Sequence, residues 1–425
     1  MAVLSVHSCP LAALGGKETG GMNVYVREVS REMGRRGWKV DVFTRSQNPH
    51  ISRLVPLGRG VRVVHLPAGP EEPLPKVEVL RFLPEFTARL MRFCREQRET
   101  YDLVHSHYWL SGWVGGRLKG EWGVPLVHMY HTLGAVKNSV ARRSKEREPA
   151  ARLQVEQQVL SWSDRLVVST AWEKDLLVGS DGVLPSRVEV IPCGVDLDLF
   201  RPLPSAAAKR ELGLSERKFI LFVGRIEPIK GIDVLVRALG RLRRHREMGL
   251  IIVGGEVDID LQRQNQELQK LRAMVRRMGL QERIAFWGPQ RQEYLPYFYS
   301  AAEALVLPSR HESFGMVALE AMACGTPVIA SRVGGLPYTV EDGRTGFLVP
   351  EGDWLEMAER IRQVVDDPGL RRRLRAEAVA RAQGFGWPTI VRQISSLYLS
   401  LLSPGALRGG AGSSEAQVRE RAGDR

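Results

Sequence analysis

The stretch Phe219-Ile-Leu-Phe-Val223-Gly-Arg225-Ile-Glu-Pro-Ile-Lys230-Gly231 decides the fold. It opens with five consecutive apolar residues and continues through a loop that holds one arginine and one lysine between glycines. An apolar run of this length, bounded by turn residues, is typical of a strand buried on both faces of a parallel sheet. The stretch therefore predicts a strand, a loop and a following helix, which is the repeating unit of an α/β fold.

The same unit recurs along the chain in two series. Short β-branched runs lie at residues 3–6, 39–43, 62–66, 103–105, 126–130 and 165–168, and again at 219–223, 250–253, 284–287, 304–307, 327–330 and 346–349. Longer helix-like segments separate them. This alternation predicts two α/β domains, each a parallel sheet covered by helices on both faces. Residues 191–204, which are rich in proline and glycine, are predicted to link them.

The domain boundaries follow from this linker. We expect a first domain over residues 1–195 and a second over 196–385, in which residues 354–382 are helical. A helix over residues 386–403 is predicted to pack back on the first domain. Residues 404–425 have almost no large apolar side chains, so we expect a disordered tail. The first strand begins almost at Met1, which leaves a start upstream open.

Composition bounds the function classes. The chain has 425 residues with 44% hydrophobic content, and its apolar runs are far shorter than the roughly 20 residues of a membrane span. Four widely spaced cysteines without a C-x-x-C pair, and an N-terminus without a basic secretory signal, favour a cytoplasmic protein. The net charge of +13 suits phosphorylated ligands or an anionic membrane surface, and a solvated basic surface is the alternative; 7% aromatics and no nucleic-acid-binding motif argue against nucleic acid.

Two loops have the chemistry of phosphate sites. Gly20 and Gly21 open a helix after the first strand, where main-chain N–H groups and the positive helix end can approach a phosphate. A plain strand-to-helix turn is the alternative, because the spacing matches neither a dinucleotide fingerprint nor a Walker loop. Arg225 and Lys230 follow a buried strand at its carboxyl end, the edge at which open α/β sheets bind ligands. Two fixed cations there suit a diphosphate.

A third motif pairs two glutamates. Glu312 precedes a predicted helix and Glu320 lies within it, eight residues or about two turns later, so both can face one cleft. Carboxylates accept hydrogen bonds from sugar and ribose hydroxyls. We reject an exposed position for Glu320, because Val317, Leu319 and small neighbours predict a buried helix.

These three motifs together resemble the retaining glycosyltransferases of family 4, over roughly residues 3–400. The resemblance implies the GT-B architecture, in which two Rossmann-like domains face a central cleft. It also implies that a sugar, N-acetylglucosamine or glucose, passes from a UDP-sugar to a phosphorylated acceptor. Inositol 3-phosphate (1D-myo-inositol 3-phosphate) is the expected acceptor and fructose 6-phosphate the alternative. A non-catalytic nucleotide-sugar sensor and a nucleotide-sugar epimerase are rivals of other classes. A homodimer stays open.

The resemblance also implies roles for individual residues. Gly21, Arg225 and Lys230 would hold the donor diphosphate, with Glu312 at the donor sugar, Glu320 at the ribose and Gln290 near the uracil. The acceptor would meet His7, Asn23, Lys76, Tyr108, Thr132 and Arg152, of which the last four surround its phosphate. His131 follows a buried strand; it would place the donor sugar rather than act as general base, and a core histidine is the alternative. The catalytic set is then His131, Arg225, Lys230 and Glu312.

The resemblance implies no cofactor for catalysis. It suggests a non-catalytic magnesium ion held largely by carbonyls at Tyr299, Ser300, Ala302 and Thr326. Asp258 and Asp260 form a D-x-D pattern of the kind that holds metal in other glycosyltransferases. We interpret this pattern as a solvated loop, because it precedes a charged helix.

Overall fold

The computed structural model describes residues 1–12, 20–180, 182–214, 217–242, 245, 247–255 and 265–406. These residues form two separate sheets. The strands of the first are β1 (Ala2–Leu4), β2 (Val40–Arg45), β3 (Leu54–Gly58), β4 (Val61–Leu66), β5 (Val104–His107), β6 (Leu126–Met129), β7 (Arg165–Val168) and β8 (Val188–Val190). Their order is β3-β4-β2-β1-β5-β6-β7-β8, and every neighbouring pair is parallel except β3 with β4.

The second sheet is parallel throughout its described strands. These are β9 (Lys218–Val223), β10 (Met248–Val253), β11 (Ile284–Gly288), β12 (Leu305–Leu307), β13 (Val328–Ser331) and β14 (Gly346–Val349), in the order β11-β10-β9-β12-β13-β14. Strand β9 is the deciding stretch of the sequence, and it lies inside the sheet with Phe219, Ile220, Leu221 and Phe222 buried. The predicted α/β fold with two parallel sheets is confirmed.

Helices connect the strands and cover the sheets. Their described bounds are α1 (Gly21–Arg35), α2 (Lys76–Val79), α3 (Leu83–Gln97), α4 (Trp109–Trp122), α5 (Gly134–Val140), α6 (Ala150–Trp162), α7 (Ala171–Ser180), α8 (Ser205–Glu211), α9 (Ile232–Arg241), α10 (Gln266–Arg277), α11 (Leu295–Ala301), α12 (Met316–Ala323), α13 (Leu336–Thr339), α14 (Trp354–Asp366), α15 (Pro368–Ala382) and α16 (Trp387–Ala406). No helix of the described residues is long and apolar enough to cross a membrane.

Two edge strands were missed by the sequence pattern. Strand β3 contains Pro56 and its side chains are partly or fully exposed, which suits an antiparallel edge strand because proline has no N–H for a second neighbour. Strand β8 is only three residues long, at the opposite edge. Both lie at sheet edges, where the buried apolar runs that reveal central strands are absent.

The chain ends by returning to the first sheet. The predicted helical segment 354–382 divides at Asp367, whose carboxylate accepts from the N–H groups of Gly369 and Leu370 and so caps α15 ahead of Pro368. Helix α16 then packs on α1: the Trp387 ring meets Tyr25 at 5.6 Å, and the Tyr398 hydroxyl lies 2.5 Å from Nδ1 of His105 on β5. Helix α16 runs to Ala406, so residues 404–406, which were predicted to belong to the tail, are helical; residues 407–425 lie outside the described residues.

Candidate active site

The carboxyl ends of the central strands of both sheets border one interdomain cavity of about 320 Å³. The loops after β1, β5 and β6 approach it from the first sheet, and those after β9 and β12 from the second. The first turn of α1 faces the first turn of α12 so closely that a Cβ on Gly21 would lie 3.1 Å from Sδ of Met316. The glycine that the sequence pattern singled out therefore lies where the two helix starts meet, against the Met316 side chain.

Arg225 and Lys230 lie on the loop after β9, as predicted. Gly231 ends this loop with φ of 63°, and a Cβ there would stand 2.1 Å from the carbonyl oxygen of Pro308. The loop is therefore packed directly on the segment that leads to Glu312. Lys230 Nζ lies 2.5 Å from Glu312 Oε2, and Arg225 donates to Glu227 at 2.8 Å.

Glu312 is held as an ionised group by its surroundings. Burial raises the pKa of its carboxyl, but Lys230, His311 and Arg225 together lower it more, so the pKa lies below the ordinary value. Its main-chain carbonyl accepts from the N–H of Gly335 at 2.8 Å, and a Cβ on Gly335 would clash at 2.0 Å with the carbonyl oxygen of Ser313. This support of Glu312 by Gly335 was not predicted from the sequence, although the Gly334-Gly335 pair is a signal for close main-chain packing.

Glu320 is buried on α12 and faces a neighbouring cavity of about 670 Å³ that Gln290 and Met316 also line. Met316 borders both cavities, which therefore adjoin at its side chain. The Tyr299 hydroxyl donates to Glu320 Oε2 at 2.8 Å, a partner that the sequence did not reveal. Burial raises the pKa of Glu320 to about 7, against the opposing hydrogen bond from Tyr299. The Gln290 side chain donates to the carbonyl of Trp287 at 3.1 Å.

The predicted phosphate-binding residues of the first domain converge on Arg152 of α6. Its guanidinium is fully buried; Nη1 donates to the Tyr108 hydroxyl at 2.9 Å, and Nη2 donates to the carbonyl and hydroxyl of Thr132 at 2.6 and 3.1 Å. Lys76 Nζ lies 5.6 Å from the centroid of the Tyr108 ring, and the Arg152 guanidinium lies 4.8 Å from it. Tyr108 takes up this central position with φ of 74°, which is rare outside glycine.

The carboxylates around Arg152 were not predicted from the sequence. Glu156 accepts from Nε at 2.7 Å, and Glu148 Oε2 lies 3.1 Å from Nη1. Burial lowers the pKa of Arg152, but Tyr108 and the two glutamates raise it more, so the guanidinium stays charged. Glu148 also pairs with Lys137 of α5, which lines the 320 Å³ cavity. Glu148, Arg152 and Glu156 are four residues apart, and side chains at this spacing are neighbours on a helix, so the pattern could have predicted both carboxylates.

His7 and Asn23 border the same cavity, His7 as a buried ring and Asn23 as a side chain hydrogen-bonded to its own loop. The His7 ring is buried against Tyr108, with centroids 4.5 Å apart, and burial together with Lys76 holds the pKa of His7 well below its ordinary value. The Asn23 amide nitrogen donates to Ser8 Oγ and to the carbonyl of Cys9, and its oxygen accepts from the N–H of Gly20. These bonds brace the loop, so the predicted contact of Asn23 with the acceptor stays a prediction.

His131 reaches the cavity with a strained backbone, φ of 60°. Its Nε2 lies 3.0 Å from Nδ1 of His107 on β5, a neighbour that the sequence analysis missed. Burial lowers the pKa of His131 to about 3. The imidazole is therefore neutral at physiological pH, and a base this weak is poorly matched to proton abstraction near pH 7.

The residues predicted to hold magnesium lie together but do not fit the ion. The Tyr299 carbonyl already accepts from the Thr326 hydroxyl at 2.6 Å and from the N–H of Ala302 at 3.2 Å, and the Ser300 carbonyl accepts from the Arg375 guanidinium at 3.3 Å. The carbonyls of Tyr299 and Ser300 are thus already occupied, and that of Ser300 is occupied by the cationic Arg375. Within the described residues no three His, Cys, Asp or Glu side chains are grouped as a metal site. Asp258 and Asp260 lie outside the described residues.

Two Rossmann-like sheets meet at a cleft, with the cationic loop after β9 and helix α12 on one side and the buried Arg152 cluster on the other, which is the arrangement of a GT-B glycosyltransferase. Family models agree: Glycosyltransferase Family 4 matches residues 19–199 and Glycosyl transferases group 1 matches residues 205–381. The chain belongs to the family 4 glycosyltransferases.

Individual relatives cover nearly the whole chain. It is 42% identical to the D-inositol 3-phosphate glycosyltransferase of Actinosynnema mirum, over 94% of this chain and 96% of that one. It is 43% identical to the protein of that name from Mycobacteroides abscessus, over 94% and 88%. Sucrose-phosphate synthase from Thermosynechococcus elongatus is similar in structure, with a TM-score of 0.87, 36% identity and coverage of 95% and 98%. Anabaena Alr3699/HepE, solved with UDP-glucose, shares the fold with a TM-score of 0.74 at 21% identity, over 94% and 100%.

Proposed function

We propose that this glycosyltransferase moves a hexosyl group from a UDP-sugar to a hydroxyl of a phosphorylated polyol, with inositol 3-phosphate as the acceptor. The observation that carries the proposal is the sharing of one 320 Å³ cavity by two charged sites. The Lys230–Glu312 pair lines one wall, and Lys76, Tyr108 and Thr132 line the other, with the buried Arg152 behind them. A donor sugar on the first site would thus meet an acceptor anchored by its phosphate on the second.

The donor side has the groups that a nucleotide-sugar needs. Arg225 and Lys230 stabilise the negative charge that grows on the diphosphate as the bond to the sugar breaks, the largest electrostatic contribution available in such a site. The ionised Glu312 accepts hydrogen bonds from the donor sugar, and Glu320, in the adjoining cavity with Gln290, accepts from the ribose. Anabaena Alr3699/HepE, which has the same fold, was solved in complex with UDP-glucose, and this is consistent with a UDP-sugar donor.

The acceptor side is favoured by the relatives as well as by the cluster. The curated proteins that are about 42% identical over nearly the whole chain are named for D-inositol 3-phosphate. A second acceptor, fructose 6-phosphate, is kept because the sucrose-phosphate synthase has the same fold with a TM-score of 0.87. Either acceptor presents one phosphate and several hydroxyls, which the cluster around Arg152 would bind through the phosphate.

The proposed step retains the α configuration. The bond between the anomeric carbon and the diphosphate oxygen breaks, the acceptor oxygen bonds to the same face of that carbon, and the acceptor proton passes to the departing phosphate oxygen. UDP leaves with that proton. The neutral His131, with a pKa of about 3, positions the donor sugar and takes no proton in this scheme. No cofactor takes part, and we propose a cytoplasmic location, where both substrate classes are made.

The test is a donor-by-acceptor grid. UDP-N-acetylglucosamine and UDP-glucose are each incubated with inositol 3-phosphate, fructose 6-phosphate, myo-inositol and fructose, and UDP release is followed. We expect release with inositol 3-phosphate and none with the unphosphorylated compounds, and an α-linked product by proton NMR. Release with fructose 6-phosphate alone would transfer the proposal to the second acceptor. If the protein binds UDP but releases none with inositol 3-phosphate or fructose 6-phosphate, transfer to a phosphorylated acceptor is overturned. The non-catalytic nucleotide-sugar sensor would then be the remaining hypothesis.

A further inference from the structure

The carboxylate of Glu148 lies between two cations, of which Lys137 lines the cavity. It pairs with Lys137 Nζ on one side and lies 3.1 Å from Arg152 Nη1 on the other. Lys137 is about one-third exposed and lines the 320 Å³ cavity together with Lys76 and Thr132. Burial raises the pKa of Glu148, but Arg152 and Lys137 lower it more, so the group is an anion held between cations.

Arg152 has no uncommitted N–H in this arrangement. A guanidinium has five, and here they meet Glu156, the Tyr108 hydroxyl, Glu148, and the carbonyl and hydroxyl of Thr132. An incoming anion can therefore bind Arg152 only if one of these partners withdraws.

Glu148 is the partner best placed to withdraw. Glu156 is buried and its two oxygens also accept from the N–H of Gly134 at 2.9 and 3.2 Å, which fixes it in place. Glu148 has the more exposed carboxylate of the two. Its main chain is anchored on both sides by Asn138, whose Oδ1 accepts from the N–H at 2.6 Å and whose Nδ2 donates to the carbonyl at 3.4 Å. The carboxylate can therefore rotate away while the backbone stays.

We propose that the Glu148 carboxylate occupies the position of the acceptor phosphate, and that the phosphate displaces it and takes Lys137 as a further ligand. The inference rests on the proposed function and extends it to two residues outside the predicted set. Three cations, Lys76, Lys137 and Arg152, face two carboxylates here. A dianionic phosphate neutralises Lys137 and Arg152 better than one carboxylate does, whereas an unphosphorylated polyol has no charge with which to compete. Glu148 thereby makes the cavity selective for a phosphate over a neutral hydroxyl compound.

The first experiment measures acceptor KM and kcat in Lys137→Met and Glu148→Gln. We expect Lys137→Met to raise the KM for inositol 3-phosphate about tenfold with kcat nearly unchanged, because one charge-assisted hydrogen bond to phosphate is lost. Glu148→Gln removes the competing charge and should lower that KM, by roughly threefold or more. Glu146→Gln is the matched control: it removes one negative charge from the same segment, where Glu146 accepts from the N–H of Arg142 instead.

The direction of the Glu148→Gln effect decides the proposal. A raised or unchanged KM would mean that the carboxylate only positions Lys137, and would overturn the inference, as would a Lys137→Met protein with normal KM. A second measurement uses inorganic phosphate and the thermal midpoint of each variant without substrates. Phosphate should stabilise Glu148→Gln at lower concentrations than wild type, and Lys137→Met only at higher ones; equal concentrations for all variants would also overturn it.

The two readouts separate the inference from the function on which it rests. If wild type transfers sugar to no phosphorylated acceptor, the proposed function fails, and phosphate stabilisation still reports whether Glu148 guards an anion site. If wild type transfers sugar but neither KM nor phosphate stabilisation responds to the two variants, the inference alone fails.

Discussion

The two charged sites of the cleft differ in how deeply their cations are buried. On the second domain, Lys230 and Glu312 form a single pair in which both side chains are about one-fifth exposed. On the first domain, the Arg152 side chain is fully buried and is bonded to two carboxylates, a phenol and a threonine. A single, partly exposed pair contributes less to stability than a buried network, in which removing the central cation leaves uncompensated charges. We therefore expect loss of Lys230 to impair catalysis with little effect on stability, and loss of the central cation Arg152 to impair both.

The largest expected effect is that of Arg152→Met on stability. It leaves the Glu156 and Glu148 carboxylates without their shared cation, which we expect to lower the free energy of unfolding by about 3–5 kcal/mol. Urea denaturation followed by circular dichroism measures it. Arg372→Met on α15 is a control for losing one arginine. If Arg152→Met were as stable as wild type, the buried acceptor network would contribute no more to stability than the donor pair does.

Lys230→Met should show the opposite pattern. We expect kcat to fall by roughly a hundredfold or more, because a cation at the developing diphosphate charge is removed, with the thermal midpoint close to that of wild type. Steady-state UDP release and differential scanning calorimetry on the same preparation measure the two quantities. Loss of stability as large as that of Arg152→Met would contradict the distinction, and Lys270→Met on α10 serves as the control for lysine loss.

The donor and acceptor sites also differ in how much of each could be predicted from the sequence. Arg225, Lys230, Glu312 and Glu320 belong to short motifs on single strand–loop–helix units, so local pattern and resemblance were enough to identify them. Lys76, Tyr108, Thr132 and Arg152 were proposed from the resemblance, and the structure brings them together. Their bonding was invisible in the sequence, because Glu148, Glu156 and Lys137 matter only through contacts that the fold creates. The same holds for Tyr299 beside Glu320 and His107 beside His131, which lie on distant segments of the chain.

A smaller effect is expected from the titration of Glu320. Its pKa is about 7 in the folded protein, against an ordinary value of 4.5, because burial favours the protonated form. Between these values the native state binds more protons than the unfolded state, so stability falls as pH rises from about 4.5 to 7 and levels off above. Glu320→Gln should remove a pH-dependent loss of about 3 kcal/mol over that window.

Denaturation midpoints at pH 5, 6, 7 and 8 measure the contribution of Glu320. Glu173 provides a comparison, because burial also raises its pKa to about 7. Its carboxylate accepts from the N–H of Ser169 in the first domain, away from α12. Glu173→Gln should flatten the same window without changing the pH dependence of donor KM. Identical donor KM profiles for the two variants would show that Glu320 does not contact the donor.

The smallest expected effect is that of removing divalent metal. This experiment tests whether side-chain cations alone, without a metal ion, supply the positive charge of the donor site. Tyr299, Ser300, Ala302 and Thr326 line neither cavity of the cleft, and the Ser300 carbonyl accepts from Arg375 where a cation would have to approach. We therefore expect kcat and the donor KM to change by less than about twofold in EDTA, since Arg225 and Lys230 supply the charge that a metal ion supplies in metal-dependent diphosphate sites. Progress curves of UDP release with EDTA or with added magnesium measure this. A large loss in EDTA that magnesium restores would mean that the donor diphosphate binds through an ion, and that the two cations of the loop are insufficient.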